Sequence, residues 1–112
     1  MRRVILESPY AGDVGRNLAY ARRAIRDCLT RGEAPIASHL LFTQPGILKD
    51  DVSDERALGI AAGLAWIPVA DAMVIYIDLG MSRGMNEAMK TAQRAGLPVE
   101  LRCLETVAVL AT

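Results

Sequence analysis

Residues 72–77, Ala-Met-Val-Ile-Tyr-Ile, make an unbroken apolar run between two acids, Asp71 and Asp78. No other stretch limits the fold as strongly. A run of this length suits a strand covered on both faces, as in a parallel sheet with helices on each side. Residues 79–87, Leu-Gly-Met-Ser-Arg-Gly-Met-Asn-Glu, follow it. Gly80 and Gly84 allow a tight turn and a close approach of backbone to ligand, and Ser82 is a suitable N-cap for a helix. Strand, glycine-bearing loop and helix start together offer free N–H groups at the carboxyl end of a strand, where open α/β sheets bind ligands. Glu87, one to two turns into that helix, can aim its carboxylate at the same crevice.

The rest of the chain supplies the partners such a strand needs. Residues 4–6 form a short apolar strand, expected to be central, and residues 8–13 (Ser-Pro-Tyr-Ala-Gly-Asp) are a turn-rich loop. A helix is predicted over residues 14–31, capped by Asp13 and ended by Gly32, with Leu18, Ala21, Ile25, Cys28 and Leu29 on one apolar face. Residues 34–38 form a second strand, near an edge because Pro35 cannot donate to a ladder. Residues 39–51 have no sustained period and read as a functional loop of the lid type. A second helix runs from an N-cap at Ser53 to about Trp66, with Asp54 and Glu55 in its first turn, and Pro68 stops it. Its residues 58–66 are too apolar for one buried face, which predicts a homodimer or larger assembly. The third helix runs to about Ala95, ended by Gly96 and Pro98. Residues 99–103 form a fourth strand and residues 107–110 a possible fifth. The alternation is that of a single α/β domain with right-handed crossovers.

A length of 112 residues fits one domain. The formal charge is zero and no basic run exceeds two residues, which argues against a nucleic-acid duplex as partner. Arg16, Arg22, Arg23, Arg26 and Arg31 recur at helical spacing and read as a solvated face. Cys28 and Cys103 have no metal or redox spacing and read as buried small hydrophobes in a reducing compartment. With no apolar run long enough to span a bilayer and no signal-peptide pattern, a cytoplasmic protein is expected.

Three loops should meet at the carboxyl edge of the sheet. They bring Ser8, Tyr10, Asp13 and Asn17, then His39, then Asp78, Ser82, Gly84, Met85 and Glu87. Asp71 belongs by this reading to the opposite end of its strand. Each residue also has a plainer role available: Glu87 favouring the helix dipole, Ser82 a simple cap, Tyr10 packing on its loop, His39 a hydrogen-bond partner. Met81, Met85 and Met89, four apart, suit a core stripe. A lone histidine offers no metal site.

Five segments occur in order: Ser8-Pro-Tyr-x-Gly-Asp-x-x-x-Asn17, Pro35-Ile-Ala-Ser-His39-Leu-Leu-Phe42, Asp71-Ala, Ser82-Arg-Gly-Met-x-x-Glu87 and Ala95-Gly-Leu-Pro-Val99. The ordered set resembles the nucleoside 2-deoxyribosyltransferase-like superfamily, in its small phage and bacterial branch, over nearly the whole chain. The resemblance implies a flavodoxin-like three-layer sandwich with a four- or five-stranded parallel sheet and a site for a nucleoside or nucleoside 5′-monophosphate. It implies that Glu87 attacks the sugar C1′ and releases the base, as in nucleotide N-glycosidases and deoxyribosyltransferases, without a cofactor. Tyr10 would sit near the glutamate, and Asp71, or alternatively Asp78, would be the second acid. Residues 82–84, with the charge of Arg83, would receive a 5′-phosphate. The resemblance also implies sites completed by neighbouring subunits. A pocket that binds a nucleotide without turning it over is the alternative, and an assembly partner is a third.

Overall fold

The apolar run becomes β3 (Ala72–Tyr76), with every residue buried, in a computed structural model that describes residues 1–104. It lies between β1 (Arg2–Glu7) and β4 (Val99–Arg102), and β2 (Glu33–Ile36) flanks β1 on the other side. All three pairings are parallel, and the order is β2-β1-β3-β4. The chain thus moves outward in one direction from β1 to β2 and in the other from β3 to β4. The carboxyl ends of β1 and β3 flank the reversal, where a crevice opens in sheets of this kind. β1 is interior as expected, and β2, carrying Pro35, is an edge. The possible fifth strand at residues 107–110 lies outside the described residues.

Helix α1 (Val14–Thr30) covers one face of the sheet. Its N-cap Asp13 accepts from the Arg16 N–H, and Gly32 beyond its end has φ +77°. Tyr20, Ala24 and Cys28 pack there on Val4, Leu6, Val74 and Tyr76. Ala21 is buried with them, whereas Leu29, expected on this face, is exposed. The other face is covered by α4 (Arg83–Arg94), through Met85, Ala88 and Ala92, and by Leu64 of α3 (Ser53–Leu64), which pack on Ile5, Met73 and Ile75. Met81 and Met89 pack against this cluster, so the methionine stripe is core.

Two elements differ from the sequence reading. Residues 38–41, expected as the end of the second strand and the start of the loop, form a one-turn helix, α2 (Ser38–Leu41), too short for periodicity to detect. Helix α3 stops at Leu64 and passes into a 3-10 turn (Ile67–Val69) around Pro68, and Ser53 is its first residue rather than its cap. Only Gly63 of α3 is buried, and Leu58 and Ile60 stay more than half exposed.

Gly63 lets α2 and α3 touch. A methyl group there would collide with the Ser38 hydroxyl and stand 2.8 Å from its Cβ. Gly63→Ala should therefore push the helices apart and cost about 1–3 kcal/mol. For a domain of this size that lowers the thermal midpoint by about 5–15 °C. An unchanged midpoint would mean that this contact yields freely.

Candidate active site

The crevice between the carboxyl ends of β1 and β3 opens into a cavity of 490 Å³. Its floor is Glu7 and Ser8, with Met85 and Ala88 beside them. One wall is α4, through Ser82, Arg83, Gly84 and Glu87. The facing wall is α2, the connection after it and α3, through His39, Phe42, Leu48, Asp50, Arg56 and Ile60. Tyr10 closes the rim from the first loop. The segment expected as a lid is therefore a wall.

Of the residues singled out from sequence, Ser8, Tyr10, His39, Ser82, Arg83, Gly84, Met85 and Glu87 line this cavity. Ser82 is also the cap of α4. Its Oγ accepts from the Met85 N–H at 3.2 Å, and its own N–H donates to the Met85 Sδ at 3.3 Å. The next N–H groups belong to the first turn, which has no intrahelical acceptors, and Arg83 adds a cation beside them. The Glu87 side chain is exposed and has no hydrogen-bond or ion-pair partner among the described residues.

Ser8 Oγ and His39 Nε2 are hydrogen-bonded at 2.6 Å, tying the first loop to α2. Burial among apolar atoms lowers the imidazole to about 4, so at neutral pH the ring is uncharged. His39 Nδ1 is buried without a partner among the described residues, so none of their carboxylates orients the ring as the third member of a nucleophilic triad would.

The structure does not bring four of the expected residues to the cavity wall. Asp71 lies ahead of β3, at the entry end of the sheet, where it accepts from the Arg3 N–H at 2.7 Å and pairs with the Arg3 guanidinium at 3.5 Å. Those contacts hold its carboxyl below the usual range. Asp78 follows β3 but turns to the α1 face, accepting from Tyr20 Oη at 2.5 Å and from the Leu104 N–H at 2.9 Å. Burial and this bond push the Tyr20 phenol well above its usual range. Asp13 is occupied as the α1 cap. Asn17 lies beneath the first loop, its Nδ2 donating to the carbonyls of Tyr10 and Ala11 at 2.8 and 3.0 Å. It holds the backbone of Tyr10 in place without touching the cavity.

Glu7 was missed. It ends β1, in register with Ile75, and alternation from Ile5 and Leu6 turns it to the α4 face and into the cavity. Its carboxyl has no partner among the described residues, and burial raises it to about 7. Among the described residues no cluster of three His, Cys, Asp or Glu side chains is placed to hold a metal ion, and no helix is long and apolar enough to cross a membrane.

The sheet order and helix layers are those of a flavodoxin-like fold. The 2-deoxyribosyltransferase of Bacillus psychrosaccharolyticus, a psychrotolerant bacterium, has a similar solved structure, with a TM-score of 0.63 over 90% of this chain and 72% of that one at 19% identity. At the level of sequence, residues 2–102 match a family model described as Domain of unknown function (DUF7768), and the chain belongs to that family. No curated protein sequence matches.

Proposed function

We propose that the cavity binds a nucleoside or nucleoside 5′-monophosphate and that Glu87 breaks its N-glycosidic bond, passing the sugar to water or to a second base. One observation carries this reading: Tyr10 of the first loop and the opening turns of α4, with the Ser82 cap and Glu87, line a single cavity at the sheet's strand-order reversal. The fold shared with a 2-deoxyribosyltransferase supports it. Breaking an N-glycosidic bond builds positive charge on the sugar, and a carboxylate at C1′ stabilises that charge or bonds to the carbon. Tyr10 stands on the rim of the same cavity, available to a bound sugar or to the glutamate. The N–H groups that open α4, with the Ser82 hydroxyl and Arg83, suit a 5′-phosphate. The chemistry draws on no cofactor. A second copy covering Leu58, Ile60 and Trp66, about half exposed in one chain, fits the same reading.

A second reading, a nucleotide-binding module without turnover, is favoured by the exposed and unpartnered state of the Glu87 carboxylate. Incubation with a panel of nucleosides and 5′-monophosphates, with chromatography of free base, separates the two. The enzyme releases base from at least one member and its Glu87→Gln variant does not; tight binding without release identifies the module. Ser82→Ala should weaken monophosphates about tenfold more than the matching nucleosides, the order of one charge-assisted hydrogen bond. Equal weakening of both removes the phosphate from the start of α4.

A further inference from the structure

Among the described residues, Glu7 is the one acid lining the cavity that is carried by a strand. β1 holds it through pairing with β3, so its position does not depend on loop conformation. Its sheet neighbours on the same face are Ile5 and Ile75, and Met85 and Ala88 face it from α4. A carboxyl in such surroundings without a hydrogen bond is a cost to folding, and groups kept at that cost concentrate where chemistry is done. Among the described residues, the charged or titratable groups around the same cavity are Glu87 and Arg83 of α4, Tyr10 of the first loop, His39 of α2, Asp50 of the following connection, and Glu55 and Arg56 of α3. Arg56 is drawn toward Asp50 at 4.0 Å, and the Glu55 carboxylate accepts from the Lys49 N–H at 3.2 Å. None of them forms an ion pair with Glu7.

We propose that Glu7 is the general acid and base of this site, protonating the nitrogen of the departing base and then deprotonating the water that frees the sugar. This rests on the glycosidase reading with Glu87 as nucleophile. In the first step a Glu87 carboxylate oxygen bonds to C1′ and the C1′–N bond breaks. Its electron pair passes to the base nitrogen, which takes the Glu7 proton, so a neutral base leaves and Glu7 becomes a carboxylate. In the second step water attacks C1′ and Glu7 takes its proton. The bond to Glu87 breaks with its electron pair returning to that carboxylate, and both side chains regain their starting forms. Burial that holds a carboxyl near 7 matches an acid that must be protonated at rest and ionised halfway through the cycle.

The test compares the intact protein with Glu7→Gln and Glu87→Gln on two substrates. One is the nucleoside or monophosphate cleaved best in the panel. The other is a 4-nitrophenyl 2-deoxyriboside, whose leaving group departs without a proton. Glu7→Gln should lower kcat for base release about 10²–10⁴-fold, the usual contribution of a positioned acid. It should also abolish the alkaline fall of the rate, centred near pH 7 in the intact protein, and slow the first-turnover burst of nitrophenolate, which precedes the water step, less than about tenfold. Should the glutamine variant fold poorly, Glu7→Asp must keep the alkaline fall with a displaced midpoint. An unchanged rate and pH profile in Glu7→Gln, with Glu87→Gln inactive, overturns the role of Glu7 and leaves the glycosidase standing. Equal loss of first-turnover release on both substrates also overturns it, making Glu7 a binding group. If the nitrophenyl sugar is not turned over, the pH profile on the base alone decides. An intact protein that releases base from nothing overturns both readings.

Discussion

Glu87→Gln should lower base release by at least about 10³-fold while leaving folding stability within about 0.5 kcal/mol. The kinetic half follows from the role proposed for the side chain. The amide keeps the shape of the carboxylate but offers no negative charge to an electron-poor C1′ and cannot form the ester on which the second step depends. The stability half follows from the surroundings: the carboxylate is exposed and no described residue bonds to it, so its replacement leaves nothing buried and unsatisfied. Matched thermal melts and single-turnover base release check both halves on one preparation. A large fall in melting temperature would show that Glu87 has structural partners, and the kinetic loss would then lose its meaning.

The second large effect lies on the opposite face, beneath α1. Arg102 donates to Glu33 through two parallel bonds of 2.7 Å, and both side chains are almost wholly enclosed. Arg2 adds a bond to Glu33 at 3.1 Å. Tyr76 Oη donates to Asp27 at 2.6 Å and accepts from Arg102 at 3.3 Å. Glu33→Ala leaves the buried guanidinium only a longer bond to the half-exposed Glu100, at 3.3 Å, and should cost about 3 kcal/mol, against about 5–15 kcal/mol for a typical domain. Urea unfolding measures the loss. Replacing both partners by methionine should recover much of it, because no charge is then left unpaired. Arg102 beside it holds Glu33 down to about 2. A carboxyl with a lowered value in the folded state lends stability that is complete above about 4.5 and drains as the pH falls toward 2. The acid limb of the stability curve should therefore flatten in Glu33→Gln. An alanine variant as stable as the parent would mean that water reaches the guanidinium.

What could be read from the sequence was local. The covered strand, the Asp13 and Ser82 caps and the glycine stop at Gly32 each depend on a few neighbouring residues, and the structure has them where expected. The gathering of Ser8, Tyr10, His39 and residues 82–87 followed from one rule about the carboxyl ends of parallel strands. The misses came from strand parity and direction. Asp78 is an even step from Tyr76, so it shares the α1 face and meets Tyr20 rather than the cavity. Asp71 precedes its strand and belongs to the far end. Glu7 was not among the expected residues, yet carrying the alternation one residue past Leu6 points it inward. That signal was available. Helix α2 left none, since its four residues gain their conformation from packing on α3.

The outer strand β2 has four residues, and one of them, Pro35, has no N–H. A foreign strand approaching that border finds a short, interrupted template, so this margin resists runaway edge-to-edge stacking and the aggregates it seeds.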